Sequence, residues 1–171
     1  MNPLKKLASQ TAIYGLSSVV GRLLNYLLVP LYTRYFIPEE YGVVTELYAY
    51  VAFLVIVLTY GLETAFFRFS QKENNNRIVY STSLISLIFT SLLFICFMFS
   101  FSENISAFIG YSTNQEYVKW FALIIGLDAI SSISFAKLRA LNKATRFALI
   151  RLVNIFINIG LNLFFIIYCP Y

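Results

Sequence analysis

The chain has 171 residues, of which 59% are hydrophobic, 18% aromatic and only 12% charged, with a mean hydropathy of +0.72. A soluble domain is nearer half apolar and a quarter charged, so this composition excludes one and specifies an integral membrane protein. The net charge of +5 and the isoelectric point near 9.2 call for no nucleic-acid partner, because cytoplasm-facing loops of membrane proteins are basic and lie against anionic lipid.

Five windows are long enough to cross the hydrocarbon layer as helices, which takes about 20 residues each. They run from Thr11 to Phe36, Tyr41 to Phe67, Ile78 to Phe101, Val118 to Ala136 and Phe147 to Tyr168, which predicts an all-α chain forming a single transmembrane domain over residues 1–171. The first window is too long for the core of a cleaved signal, is interrupted by Arg22 and is followed by no small-residue cleavage site, so it reads as a retained helix. Pro30 falls late in it, where a missing N–H bends or weakens the outer half. That bend fits either a packing feature or a site. Ile37-Pro38-Glu39-Glu40 then links to the second window, with Pro38 suited to a first helical turn and two carboxylates near that helix's positive end. The second window carries Glu46 and Glu63 near its two ends, both read as interfacial or snorkelling carboxylates.

Ser70 to Arg77 is a polar turn, and the third window after it holds no charge, so it is expected to face lipid. Ser102 to Tyr117, with Gly110, Ser112, Thr113 and Asn114, reads as loop. Lys5 and Lys6, then Arg68, Lys72 and Arg77, then Lys137, Arg139, Lys143, Arg146 and Arg151 crowd alternate connections. The positive-inside rule therefore puts the N-terminus in the cytoplasm. Tyr32, Tyr35, Tyr41 and Tyr117 fit an interfacial aromatic belt, while Tyr48, Tyr50 and Tyr60 have no evident role. Cys96 and Cys169 show no CxxC spacing and the chain has no histidine, so neither a metal site nor Cys/His catalysis has its parts; both thiols are expected to be free and buried. No cofactor is expected. Five spans would leave the C-terminus outside, and transporters are built from matched repeats, so the chain is expected to be the N-terminal portion of a longer transporter.

Counting depth at about 1.5 Å per residue puts Arg22 roughly mid-span, with Asn25 one turn on and on the same face. Asp128 in the fourth window and Asn158 in the fifth fall in the same layer. A guanidinium there costs roughly 3 kcal/mol on insertion scales, so it is expected to face a bundle interior or watery cavity. In the fifth window Arg151, Asn154, Asn158 and Asn162 recur every three or four residues as one polar stripe. Two readings stay open for these groups. The stripe serves interhelical hydrogen bonding or lines a solute path, and Arg22 with Asp128 forms a structural ion pair or a binding site.

Several stretches resemble the polysaccharide-type flippases of the multidrug/oligosaccharidyl-lipid/polysaccharide exporter superfamily. The run from Gly21-Arg22-Leu23-Leu24-Asn25 through Val29-Pro30-Leu31 to Pro38-Glu39-Glu40-Tyr41-Gly42 resembles the opening helix and the loop after it. Gly61-Leu62-Glu63-Thr64-Ala65-Phe66-Phe67-Arg68 is similar to the end of helix two, and Leu138-Arg139-Ala140-Leu141-Asn142-Lys143-Ala144 to the basic loop before helix five. The resemblance covers essentially the whole chain. It implies the first part of one six-helix bundle of a MATE-type transporter with alternating access. It also implies a bacterial inner-membrane location and, as substrate, an oligosaccharide on an undecaprenyl diphosphate carrier, handled alongside polysaccharide polymerase and glycosyltransferase machinery. Arg22 would then bind the diphosphate, with Asn25, Asp128, Arg151, Asn154 and Asn158 as candidate cavity lining.

Two other functions are weighed against this one. Drug or cation antiport on the same fold would use Asp128 or Glu46 as its coupling carboxylate, and a basic midplane residue argues against it. A membrane-embedded enzyme would need paired carboxylates, histidine or a metal near the surface, and the short loops offer none. An inactive remnant or scaffold is the remaining alternative.

Overall fold

Inside a bilayer every backbone N–H and C=O must be satisfied within the protein, and this chain does so with helices. The computed structural model describes residues 3–72, 76–111 and 114–168, except for the side chains of residues 3–10, 18, 22, 25, 76, 167 and 168. Among the described residues the elements are α1 (Pro3–Leu27), α2 (Val29–Tyr35), α3 (Pro38–Thr59), α4 (Leu62–Lys72), α5 (Asn76–Ser100), α6 (Ser102–Phe108), α7 (Gln115–Ala140) and α8 (Ala144–Tyr168). Four stretches of these helices are long and apolar enough to cross a membrane: Pro38–Lys72, Arg77–Ser100, Gln115–Ala140 and Ala144–Ile166. The protein is therefore an all-α integral membrane protein. Among the described residues of α1, Thr11–Gly21 is a shorter apolar stretch.

The helix breaks fall where the backbone chemistry requires them. Pro30 cannot donate to the turn before it, and the helix is interrupted at Leu28, whose backbone stays in the α region (φ −77°, ψ −19°). The result is a bend into α2, as the sequence predicts, and not a loop. Pro38 opens α3 with Glu39 and Glu40 in its first turn. Two consecutive residues at positive φ, Tyr60 (37°) and Gly61 (69°), separate α3 from α4 within one long span.

The chain divides into two compact units, Thr45–Ala140 and Met1–Val44 with Leu141–Tyr171. In the first, α5 packs along α7, and the contact is made close by small side chains: Ala122, Gly126, Ala129 and Ala136 are buried on α7, and Ser83, Leu87 and Ser91 on α5. Lipid tails are as apolar as leucine, so this interface is stabilised by close van der Waals contact and not by water exclusion. A Cβ on Gly126 would lie 2.6 Å from Ile95 Cδ1 and 3.0 Å from its Cγ1, so a larger residue there would require Ile95 to move. At the end of this interface Phe66, Leu87, Ile133 and Ala136 form a buried cluster, with Leu62, Tyr80 and Leu84 packed around it. In the second unit α8 packs against α1. The Tyr14 and Phe147 rings meet edge to face at 5.1 Å, and Gly21 faces Ile155.

Four expectations need correction. The charge-free α5 does not simply face lipid, because its Ser83, Leu87 and Ser91 line is buried against α7; hydroxyls and one leucine pack closely where charge could not. The link from Ser102 to Tyr117 is not all loop. Phe101-Ser102-Glu103-Asn104-Ile105 has the spacing to place one apolar face on a turn of helix, and α6 forms there. The Cys96 thiol is exposed on the outer side of α5, away from the buried line, and Cys169 lies outside the described residues. Finally, Tyr48 and Tyr50 do have partners. Tyr48 meets Phe121 edge to face at 5.7 Å, and Tyr50 donates to Glu46.

Candidate functional site

On α8 the buried positions Ala144, Phe147 and Ile155 and the polar positions Arg151, Asn158 and Asn162 fall on one line at steps of three or four residues. The polar stripe thus belongs to the seam that packs on α1, not to the opposite face. This register explains how the stripe is accommodated in an apolar helix. Tyr32 Oη on α2 donates to Asn162 Oδ1 at 2.9 Å. Asn162 Nδ2 in turn donates to the Asn158 carbonyl at 2.8 Å and to Asn158 Oδ1 at 3.2 Å. The upper part of the stripe is therefore interhelical hydrogen bonding, one of the two readings the sequence left open.

The lower part differs. Arg151 is exposed, and its guanidinium carbon sits 5.7 Å from the centre of the Phe147 ring, which also meets the Tyr14 ring edge to face. That contact sets a planar guanidinium against an aromatic ring of the same helix. Asn154 is exposed and makes no hydrogen bond among the described residues. Arg151 and Asn154 together offer cationic and amide donors of the kind that bind phosphate or sugar oxygens. An apolar groove of about 580 Å³ runs along the other flank of α8, lined by Ile13, Leu149, Leu152 and Phe156 among others, and none of the predicted polar residues lines it.

The remaining predicted positions fall elsewhere. Asp128 lies on α7, in the unit Thr45–Ala140, exposed and off the face that packs on α5. Arg22 and Asn25 sit on α1 within its helical backbone, and their side chains lie outside the described ones. Among the described residues no three His, Cys, Asp or Glu side chains come close enough to hold a metal ion.

Two polar clusters were not legible in the sequence as such. Glu63 and Arg139 form an ion pair with side chains about one-third exposed, and the Arg139 guanidinium also lies 5.5 Å from the Phe67 ring centre. Glu46 accepts from Tyr50 at 2.9 Å through one oxygen and from Tyr111 at 2.7 Å through the other. That bond raises the Tyr111 phenol above the usual tyrosine range, since the carboxylate favours the protonated donor. The four-residue spacing of Glu46 and Tyr50 was a usable signal. The pairing of Glu63 with Arg139 had none beyond the fact that both lie near basic loop ends.

Bilayer-length helices, close small-residue packing and basic alternate loops define a multi-pass membrane protein. A family model described as polysaccharide biosynthesis protein matches residues 7–169, and the chain belongs to that family. Membership gives it a role in polysaccharide synthesis or export, and members of the family are typically transporters or flippases. No curated protein and no solved structure matches the chain.

Proposed function

We propose that this protein takes part in flipping an undecaprenyl-diphosphate-linked oligosaccharide across the bacterial inner membrane for surface polysaccharide synthesis. The observation that carries the reading is the family match along residues 7–169. The α8 line supports it: Arg151 and Asn154 are presented on an apolar helix with donors suited to a headgroup of phosphates and sugars. Arg22 is the proposed anchor for the diphosphate, because a guanidinium offers paired donors to phosphate oxygens and attracts them most strongly where water is scarce. Asn25 and Asp128 are proposed as further cavity lining, and Asn158 as a residue that positions the line through its bond to Asn162.

The test is made in cells whose surface glycan depends on this protein. Arg22→Ala is expected to abolish surface glycan and to leave lipid-linked oligosaccharide on the cytoplasmic leaflet, with the protein at its normal level in the membrane. Full surface glycan with alanine at position 22 would remove Arg22 from the mechanism.

A further inference from the structure

The short helix α6 has three faces of different chemistry, and together they say what covers it. Phe101, at its N-cap, Ile105 and Phe108 fall within one side of a helical projection at steps of four and three residues. Ser102 and Ser106 fall on a second side and are buried, at 6% and 0% exposure; α6 packs on α7. Glu103 falls on the third side, roughly opposite the phenylalanines, and is exposed. The pattern is the reverse of a helix on a water-soluble surface, where serines would be outside and phenylalanines inside. Phe108 is 90% exposed and Phe101 46%.

This apolar side continues a surface that already belongs to lipid. Along α5 the residues Ile85, Phe89, Leu93 and Phe97 are all exposed at four-residue steps, and the line passes to Phe101 through rings 4.9 Å apart. Phe108 is seven residues further on, on the same side of α6. The whole line therefore runs unbroken from the middle of a membrane span to its end. By the loop charges that end is the non-cytoplasmic one.

Nor is the segment a loose loop. Gly110, at φ +85°, adopts the left-handed turn that ends the helix, and the Gly110 and Tyr111 amides bond back to the Ala107 and Ser106 carbonyls. Tyr111 is then held by Glu46 on α3. The helix is tied at both ends before any lipid arrives, so little ordering entropy opposes insertion.

We propose that α6 is an interfacial helix lying in the outer leaflet, with Phe101, Ile105 and Phe108 in the acyl-chain boundary and Glu103 toward water. Each phenylalanine stabilises that position by the apolar area it removes from water, and aromatic rings favour this boundary.

The chain has one tryptophan, Trp120, which makes a single-reporter experiment possible. The full chain carrying Trp120→Phe and Phe108→Trp is reconstituted in phosphatidylcholine vesicles, with and without lipids brominated near the headgroup end of their acyl chains. The expected result is blue-shifted emission that is quenched by the brominated lipid and protected from aqueous iodide. Red-shifted emission quenched by iodide would show that α6 faces water, and blue-shifted emission insensitive to bromine would show that protein covers it; either overturns the proposal. Phe101→Trp in the same background is the second reporter should Phe108→Trp disturb folding, with the same three outcomes.

Discussion

Gly126→Ala tests the reasoning about the α5–α7 contact most directly, because the clash it makes is defined to the atom. The new methyl carbon would stand 2.6 Å from Ile95 Cδ1, 3.0 Å from Ile95 Cγ1 and 3.7 Å from Ser91 Cβ. Carbon atoms attract best near 3.5 to 4.0 Å, so the first contact overlaps by about 1 Å. Rotating the end of Ile95 moves Cδ1 away but leaves Cγ1, which is fixed closer to the backbone. Overpacking of this kind costs about 1 to 3 kcal/mol, against which the gain in helix propensity from glycine to alanine is about 1 kcal/mol. The single variant should therefore lose up to about 2 kcal/mol. Ile95→Val removes Cδ1 and costs about 0.5 to 1.5 kcal/mol alone. In the double variant the worst overlap is absent, so the pair should be more stable than the sum of the two losses by about 1 kcal/mol. Unfolding of the purified protein in mixed detergent micelles, titrated with a denaturing detergent, measures all four corners of the cycle. Losses that add to within about 0.5 kcal/mol would show that position 126 does not press on Ile95, and the close-packing account of this interface would fail.

Two further outcomes follow from buried and half-buried polar groups. Ser91 is fully buried and its hydroxyl has no hydrogen-bond partner among the described residues, so Ser91→Ala should raise stability by up to about 1 kcal/mol in the same unfolding assay; a loss of that size would mean the hydroxyl is satisfied. Glu63→Gln and Arg139→Gln should each lose about 1 kcal/mol, a value kept near that of surface pairs because both side chains are about one-third exposed. The charge-reversed double variant, Glu63→Arg with Arg139→Glu, should recover most of either reversal's loss, and equal loss in the double would show that the ion pair contributes nothing.

What could be read from the chain before its structure divides along physical lines. Helix existence and class were legible because bilayer-length apolar runs leave the backbone no other way to satisfy itself. The bend at Pro30 and the start at Pro38 were legible because each follows from one missing N–H. Element ends and faces were harder. α6 lay inside a segment rich in Gly110, Ser112, Thr113 and Asn114, and that turn chemistry outweighed the spacing of Phe101, Ile105 and Phe108. The buried face of α5 was hidden because none of its residues is charged, and absence of charge does not tell a packed face from a lipid-facing one. Its partner face on α7 is marked by small residues, a signal of helix packing and not of polarity.

The candidate site shows the same division at the scale of single side chains. Three asparagines at four-residue spacing on α8 form one stripe in sequence, yet they do different things. Asn162 is engaged by Tyr32, a residue 130 positions away, and Asn158 is engaged by Asn162. Spacing alone cannot reveal a partner on another helix, so it could not tell these two from Asn154, which is exposed without a hydrogen bond. An amide already engaged by a neighbour has less left for a substrate, whereas one left open in an apolar helix is costly unless something polar reaches it. By that argument Asn154 is the amide of the stripe left open on the helix surface, with the Arg151 guanidinium three residues before it. Asn162 ties α8 to α2 through Tyr32, and Asn158 accepts from Asn162 within α8.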